Sequence, residues 1–328
     1  MRLIYTLLLS LALFPAFSQV RQNVYFFKEN GQKVSAKDSA DFTRIVREPE
    51  PGSKYYPVSD YYYMNGKVKL LSYSSAIDPV KFEGQCLTFY LNGKKKEVLN
   101  YVKGGLLGQQ FYYYDNGKFK EERDYAQNTK DHELLFDYLY SISNYADSTG
   151  NFSVKDGNGI YKIFKDHKYS KTTISSISEG GVKNGLKHGL WQTSVNLDSI
   201  RLEETYDNGK FISGKAIYED GAILTYDEPD RLPQFKGGMN GFSAYLGSVL
   251  RYPANAQSRG IQGQVNVVFN VDVDGTLVSI RTEGAVPSDD LGKEALRVIS
   301  KSPKWIPGRI FGRITKVSYT VPIVFSLR

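Results

Sequence analysis

Apolar residues recur along this chain with two periods, and the change from one to the other marks its elements. From Gly263 the period is two: Val265, Val267, Phe269, Val271 and Val273 share one side, with Asn266, Asn270 and Asp272 on the other. That alternation predicts a strand half buried against a core. Asp274-Gly275 turns it into a second strand, Leu277 to Arg281, making a hairpin. Before and after this hairpin the period lengthens. Phe242, Tyr245, Leu246 and Val249 fall at the i, i+3, i+4, i+7 positions of a helix that Asn240 can cap and Tyr252-Pro253 ends. Ser288 caps a second helix with a stripe of Leu291, Ala295, Val298 and Ile299. Asp289 and Asp290 sit at its positive end and Lys301 at its negative end. Pro303 stops it, and Trp305-Ile306-Pro307-Gly308 makes a rigid aromatic turn. The end of the chain alternates again through Val317, Tyr319, Val321, Ile323, Phe325 and Leu327. Residues 233–328 therefore predict an α+β domain, a three-stranded antiparallel sheet with two helices on one face.

Upstream the pattern is a repeat. Tyr63-Met64-Asn65-Gly66-Lys67, Tyr90-Leu91-Asn92-Gly93-Lys94, Tyr114-Asp115-Asn116-Gly117-Lys118 and Tyr206-Asp207-Asn208-Gly209-Lys210 share one phrase, with Tyr218-Glu219-Asp220-Gly221 as a looser copy. Asn-Gly between aromatic runs predicts hairpins with type I′ turns. Gly84 precedes Gly93, and Gly108 precedes Gly117, by nine positions, so this unit repeats every 24 residues. Lys183-Asn184-Gly185-Leu186-Lys187-His188-Gly189 echoes Lys103-Gly104-Gly105-Leu106-Leu107-Gly108. Residues 55–228 thus read as a mainly-β hairpin-repeat region. Within it, Leu134, Leu135, Tyr138, Leu139 and Ile142 have a helix-like period, which fits a helical insertion or another aromatic strand pair. Residues 19–54, with Glu48-Pro49-Glu50-Pro51-Gly52, read as an N-terminal segment and linker. Residues 1–18 have the pattern of a signal peptide: Arg2, an apolar run from Leu3 to Phe17, and small residues at Ala16 and Ser18 before Gln19. A spanning helix needs roughly 20 apolar residues, so cleavage and export to the periplasm or cell envelope are expected, with an uncleaved anchor as the alternative.

Composition changes the picture in three places. The 25 Tyr and 18 Phe belong to aromatic-rich strands, where cross-strand pairing explains them better than a glycan or peptide site. One cysteine, Cys86, excludes an intramolecular disulfide, and with no activating partner nearby it reads as a buried, inert thiol. A net charge of +7 with Lys and Arg scattered through turns argues against a nucleic-acid partner. The histidines, His132, His167 and His188, are too isolated to form a zinc site. Asp272-x-Asp274-Gly275 lacks the remaining ligands of a calcium loop and reads as a turn. No P-loop, nucleophile elbow or dinucleotide fingerprint occurs, so no catalytic residue, cofactor or metal is expected and the chain is not read as an enzyme.

Seven ordered phrases give residues 233–328 a resemblance. They are Phe235-Lys236-Gly237-Gly238-Met239, Tyr252-Pro253-x-x-Ala256, Gly260-Ile261-Gln262-Gly263, Asp274-Gly275, Glu294-Ala295-Leu296-Arg297-Val298, Pro303-Lys304-Trp305-x-Pro307-Gly308 and Pro322-Ile323. Together they resemble the TonB C-terminal domain, and the upstream phrases resemble the MORN-like repeats of YwqK-type proteins. The first resemblance implies a partner: an outer-membrane TonB-dependent receptor, or another envelope protein, captured by β-strand addition. The residues suggest where. Pro322 has no N–H to give a ladder, which places the last strand at a sheet edge, and Lys316, Ser318 and Thr320 share its parity along that edge. Full TonB proteins also keep an uncleaved N-terminal helix with a Ser/His pair for the inner-membrane motor, and a long Pro-rich stalk. This chain has no His before His132 and only 12 prolines, so the resemblance does not extend to motor coupling. Two readings stand: an envelope protein of TonB-dependent transport, or an exported repeat scaffold whose TonB-like domain binds proteins without energy transduction.

Overall fold

The computed structural model describes residues 21–129, 140–169, 172–196 and 199–327. The chain forms two compact units that divide near residue 131, with Ser148–Gly150 belonging to the first.

The first unit is an antiparallel sheet of nine strands: β1 (Gln22–Phe27), β2 (Lys33–Val34), β3 (Phe42–Arg47), β4 (Tyr56–Tyr62), β5 (Val68–Ile77), β6 (Val80–Phe89), β7 (Lys95–Val102), β8 (Gly105–Tyr113) and β9 (Phe119–Thr129). From β3 to β9 each strand pairs with the next, while β1 lies between β2 and β3. The stretch expected to be a linker therefore contributes strands as far as Arg47. Its alternation is real but carried by a charge: between buried Phe42 and Val46 stands Arg44, whose guanidinium makes bonds of 2.8 and 2.7 Å to Asp60. The same guanidinium lies over the rings of Phe27, Phe42 and Phe82, so an arginine serves here as a core residue.

The repeated phrase turns the chain in more than one way. Around Asn92-Gly93 the Tyr90 N–H donates to the Lys94 carbonyl and the Gly93 N–H to the Tyr90 carbonyl, and only the glycine is left-handed, at φ 88°. This is a three-residue loop with a type I turn and a glycine bulge, not the type I′ turn expected; Asn116-Gly117 repeats it. Two-residue loops with both central residues left-handed do occur at Lys103-Gly104, Asp156-Gly157, Asn184-Gly185 and Asn208-Gly209. In the three-residue class the asparagine explains the phrase. Asn92 Oδ1 accepts from the Lys94 N–H at 2.9 Å while its Nδ2 donates to the Asp115 carbonyl of the next turn at 2.8 Å. Lys94 Nζ then donates to the Asn116 carbonyl at 2.8 Å. Asn65 and Lys67 make the same bonds to Leu91 and Asn92, and Asn116 and Lys118 to Ser148 and Thr149. Asn-Gly-Lys is thus a stacking motif as well as a turn. Cys86, 1% exposed, lies inside this unit, and burial pushes its thiol up to about 12.

The second unit opens with a further meander: β10 (Ser141–Ala146), β11 (Phe152–Lys155), β12 (Asn158–Tyr169), β13 (Thr172–Lys183), β14 (Leu186–Val195), β15 (Ile200–Asp207), β16 (Lys210–Tyr218) and β17 (Ile223–Tyr226). Ile142 therefore lies in a strand; residues 131–139 of the stretch with helical period lie outside the described residues. Val154, Tyr161, Ile163, Val182, Trp191 and Tyr206 build the core of this sheet. Trp191 donates from its indole to the Gly181 carbonyl at 2.8 Å and lies flush on Gly180, where any Cβ would strike the ring.

The remainder is α1 (Gly238–Val249), α2 (Ala254–Ser258), β18 (Gly263–Val271), β19 (Leu277–Glu283), α3 (Asp289–Ser300), β20 (Gly308–Ile310), β21 (Arg313–Thr315) and β22 (Val317–Phe325). The three-stranded sheet has the order β19-β18-β22, and β20 with β21 forms a separate hairpin. Val265, Val267, Phe269 and Val271 of the central strand pack with Phe242 of α1, with Leu291, Ala295 and Ile299 of α3, and with Val321, Ile323 and Phe325 of β22. The alternation read from sequence is this face. Three details differ. α1 begins at Gly238 with left-handed Gly237 before it, so Asn240 lies inside the helix and caps nothing. A third, short helix follows Pro253. Val273 belongs to the turn and is exposed. Ser288 does cap α3, accepting from the Leu291 N–H at 3.3 Å.

Candidate functional site

β22 lies at one edge of its sheet, and among the described residues no strand pairs with its outer side. It runs antiparallel to β18 through nine consecutive pairs, from Gly263 opposite Phe325 to Val271 opposite Val317, with no shift of register. Side chains alternate strictly: Val321, Ile323 and Phe325 are buried, while Ser318, Thr320, Pro322 and Val324 are exposed. Pro322 stands opposite Asn266, and Ser318 and Thr320 share its parity, opposite Asn270 and Val268. A proline fits a regular ladder where its nitrogen faces away from the neighbour, so residues of this parity direct their backbone groups outward. Lys316 precedes the strand and pairs with Asp272 at 3.1 Å. The Val273 N–H and then this ammonium hold the Asp272 carboxyl below its usual range.

An aromatic cluster lies under the first half of this edge. Tyr319 touches Phe269 and Trp305, and Trp305, 4% exposed, also meets Phe235 and Phe242 edge-on. The Trp305 N–H donates to the Gly275 carbonyl at 2.9 Å and its indole to Ser302 Oγ at 3.0 Å. Asp274, in the same turn as Gly275, accepts from the Thr276 N–H at 2.9 Å and from Lys304 at 2.7 Å, so the turn and the segment after α3 are tied on both sides. The chain's only calcium-like phrase is therefore occupied as a hairpin turn. Sequence reasoning missed this clamp; its one signal was the close succession of Pro303, Trp305 and Pro307. The opposite edge is built differently. β19 breaks register against β18 between Val268 and Asn270, and Ser279 is left-handed at φ 55°. A bulged edge resists further pairing. Ser318 and Thr320 thus lie on the more regular edge, with Lys316 just before it.

Residues 248–327 match the family of the Gram-negative bacterial TonB protein C-terminal. The end of this chain is a TonB C-terminal domain. Protein TonB of Helicobacter pylori strain J99 is 32% identical over 83 residues, which cover 25% of this chain and 28% of that protein. Protein TonB of strain 26695 gives the same figures. An NMR solution structure of the H. pylori TonB C-terminal domain aligns at 30% identity over 27% of this chain and 80% of its own, with a TM-score of 0.23. The chain thus spans less than a third of the length of the curated relatives it matches, and the hairpin repeats precede the matched region. The clamp on Trp305 and the edge strand β22 both belong to the TonB C-terminal domain. Among the described residues no group of His, Cys, Asp and Glu is arranged to hold a metal, and no helix is long and apolar enough to cross a membrane.

Proposed function

We propose that this protein acts in TonB-dependent transport at the cell envelope, and that β22 receives an extended segment of an outer-membrane receptor as a fourth strand. The observation behind this reading is the contrast between the two sheet edges: one regular over nine pairs and open, the other bulged. Main-chain groups of Ser318 and Thr320 supply the pairing, and Lys316 lies at the end of the same row. Each net hydrogen bond contributes about 0.5–1.5 kcal/mol, so three or four of them supply about 1.5–6 kcal/mol, which with few side-chain pockets gives an affinity no tighter than tens of micromolar, suited to a reversible grip. No catalytic step and no cofactor enter this reading, and nothing in it assigns the chain to an inner-membrane motor.

Two proline substitutions test it. Ser318→Pro removes an outward N–H and touches neither the inner ladder nor a core side chain. Titration with a fluorescent receptor peptide should show at least a tenfold loss of affinity while the thermal melt stays at its wild-type position. Tyr319→Pro should unfold the domain, since that residue's ring packs on Trp305. If Ser318→Pro melts the domain, or binds as well as wild type, the edge assignment is wrong. Peptide capture by β22 in a chain that supports no receptor-dependent uptake would favour the scaffold reading instead.

A further inference from the structure

The hairpin of β20 and β21 has no place in the three-stranded sheet, yet its tip is one of the more thoroughly bonded parts of the second unit. Phe311 and Gly312 form the two-residue loop, left-handed at φ 51° and 78°. Both of their N–H groups donate to the carboxylate of Asp230, the Gly312 bond being 2.8 Å; Asp230 is 9% exposed and lies in the segment that follows β17. The Phe311 carbonyl accepts from the Tyr218 hydroxyl at 2.8 Å, and the Arg313 guanidinium lies 4.1 Å from the centre of the Tyr218 ring. Phe311 packs against the apolar cluster of Leu202, Ala216 and Tyr226 at the end of the repeat sheet, and the Tyr226 ring covers Gly312 so closely that no Cβ fits. The backbone continues the seal. Arg231 and Arg309 exchange bonds of 2.9 and 2.8 Å, and Gln234 and Ile306 exchange bonds of 3.0 and 2.8 Å.

These contacts come from both sides of the chain's change of architecture. β16 and β17 are the last repeat strands, and β17 has only four residues. Arrays of repeats need a terminal cap, because the last unit otherwise leaves an apolar face and a strand edge open. We infer that the β20–β21 hairpin is the C-terminal cap of the repeat sheet, so that the hairpin and the last repeat strands open together and join the repeats to the TonB C-terminal domain as one rigid joint. Asp230 is the acceptor that seats the cap, Tyr218 its second latch, and Gly312 the position that lets Tyr226 close over it. The joint itself does not depend on what β22 binds. If β22 grips a receptor segment as proposed above, the joint carries that grip into the repeats without an intervening hinge.

Native-state hydrogen exchange on the full chain tests the inference. Asp230→Ala removes an acceptor that belongs to neither core. The amides of Phe311 and Gly312, and with them those of β16 and β17, should exchange at least tenfold faster, while β18 and α3 keep their protection. Tyr218→Phe deletes one hydroxyl and should give the same pattern at smaller amplitude. Acceleration confined to Phe311 and Gly312, or absent from both variants, would overturn the cap. Should Asp230→Ala fail to fold, Tyr218→Phe decides by the same comparison. Peptide titration is read separately: loss of capture with exchange unchanged touches only the edge assignment.

Discussion

Gly275 has a left-handed φ of 84°, and a Cβ built on it would run into the Trp305 carbonyl oxygen. Gly275→Ala combines a conformational penalty with a clash against backbone, and should cost about 2 kcal/mol or more in urea unfolding of the domain. Ser279 is the converse case, a side chain held in a glycine conformation within a bulge. Ser279→Gly should leave stability unchanged or raise it by up to about 1 kcal/mol, the relief of strain offset by greater freedom in the unfolded chain. Asp230 predicts a pH dependence. Burial pushes its carboxyl up to about 6 from an ordinary 3.8, against the pull of the Gly312 and Phe311 N–H groups; Glu204 adds to the rise and Arg309 opposes it. A carboxyl raised in the folded state makes its stabilising contribution below its ordinary value and loses it as pH climbs from about 4 to about 6. Wild-type stability relative to Asp230→Asn should therefore fall across that window, as urea unfolding at several pH values will show; a flat difference would mean the group titrates normally. Of these residues only Gly275 was legible beforehand, as half of an Asp-Gly turn. Asp230 takes its role from N–H groups 81 and 82 positions away and Ser279 from a register slip, which no local pattern records.

At the scale of elements, alternation read the C-terminal sheet correctly because its three strands each bury one face on the same helices. It was less informative where polar residues do core work, as with Arg44 on its aromatic bed. The turns show another limit. Asn-Gly reports a reversal of the chain, but whether the loop closes over two residues or three depends on the register of the flanking strands. Lysine follows Asn-Gly in both classes, Lys94 after a stacked loop and Lys210 after a two-residue one, so the stacking is decided by a partner 22 to 32 residues on and not by the phrase alone. Asn92 makes two bonds, one within its own turn and one to the next. Asn92→Ala should lower the stability of the first unit by about 1–2 kcal/mol, while Asn92→Asp, which keeps the acceptor for Lys94 and loses the donor to Asp115, should fall between. Chemical unfolding followed by tyrosine fluorescence will rank the three.

For the molecule as a whole, the apolar cluster of the TonB C-terminal domain draws all its fully buried members from Phe235 to Phe325. A fragment of residues 233–328 should accordingly melt cooperatively by circular dichroism. Because it lacks Asp230 and Arg231, its amides at 308–315 should exchange freely, and a fragment beginning at Glu228 should protect them. A proline, a glycine pair and a change of period set the boundary expected at 233; the bonds between Asp230 or Arg231 and the 309–312 segment were not legible, since each joins groups about 80 positions apart. The turn ladder of the first unit carries a different kind of consequence. Every copy offers its successor the same amide and ammonium and asks of it the same two carbonyls, so a copy does not distinguish a native successor from a duplicate of itself. A gene segment encoding 24 residues, copied in tandem between Gly93 and Gly117, would add two strands and about 10 Å of array with no bond left unanswered at either splice. The length of such an array is a quantity that replication errors can adjust in whole steps while the C-terminal domain stays the same.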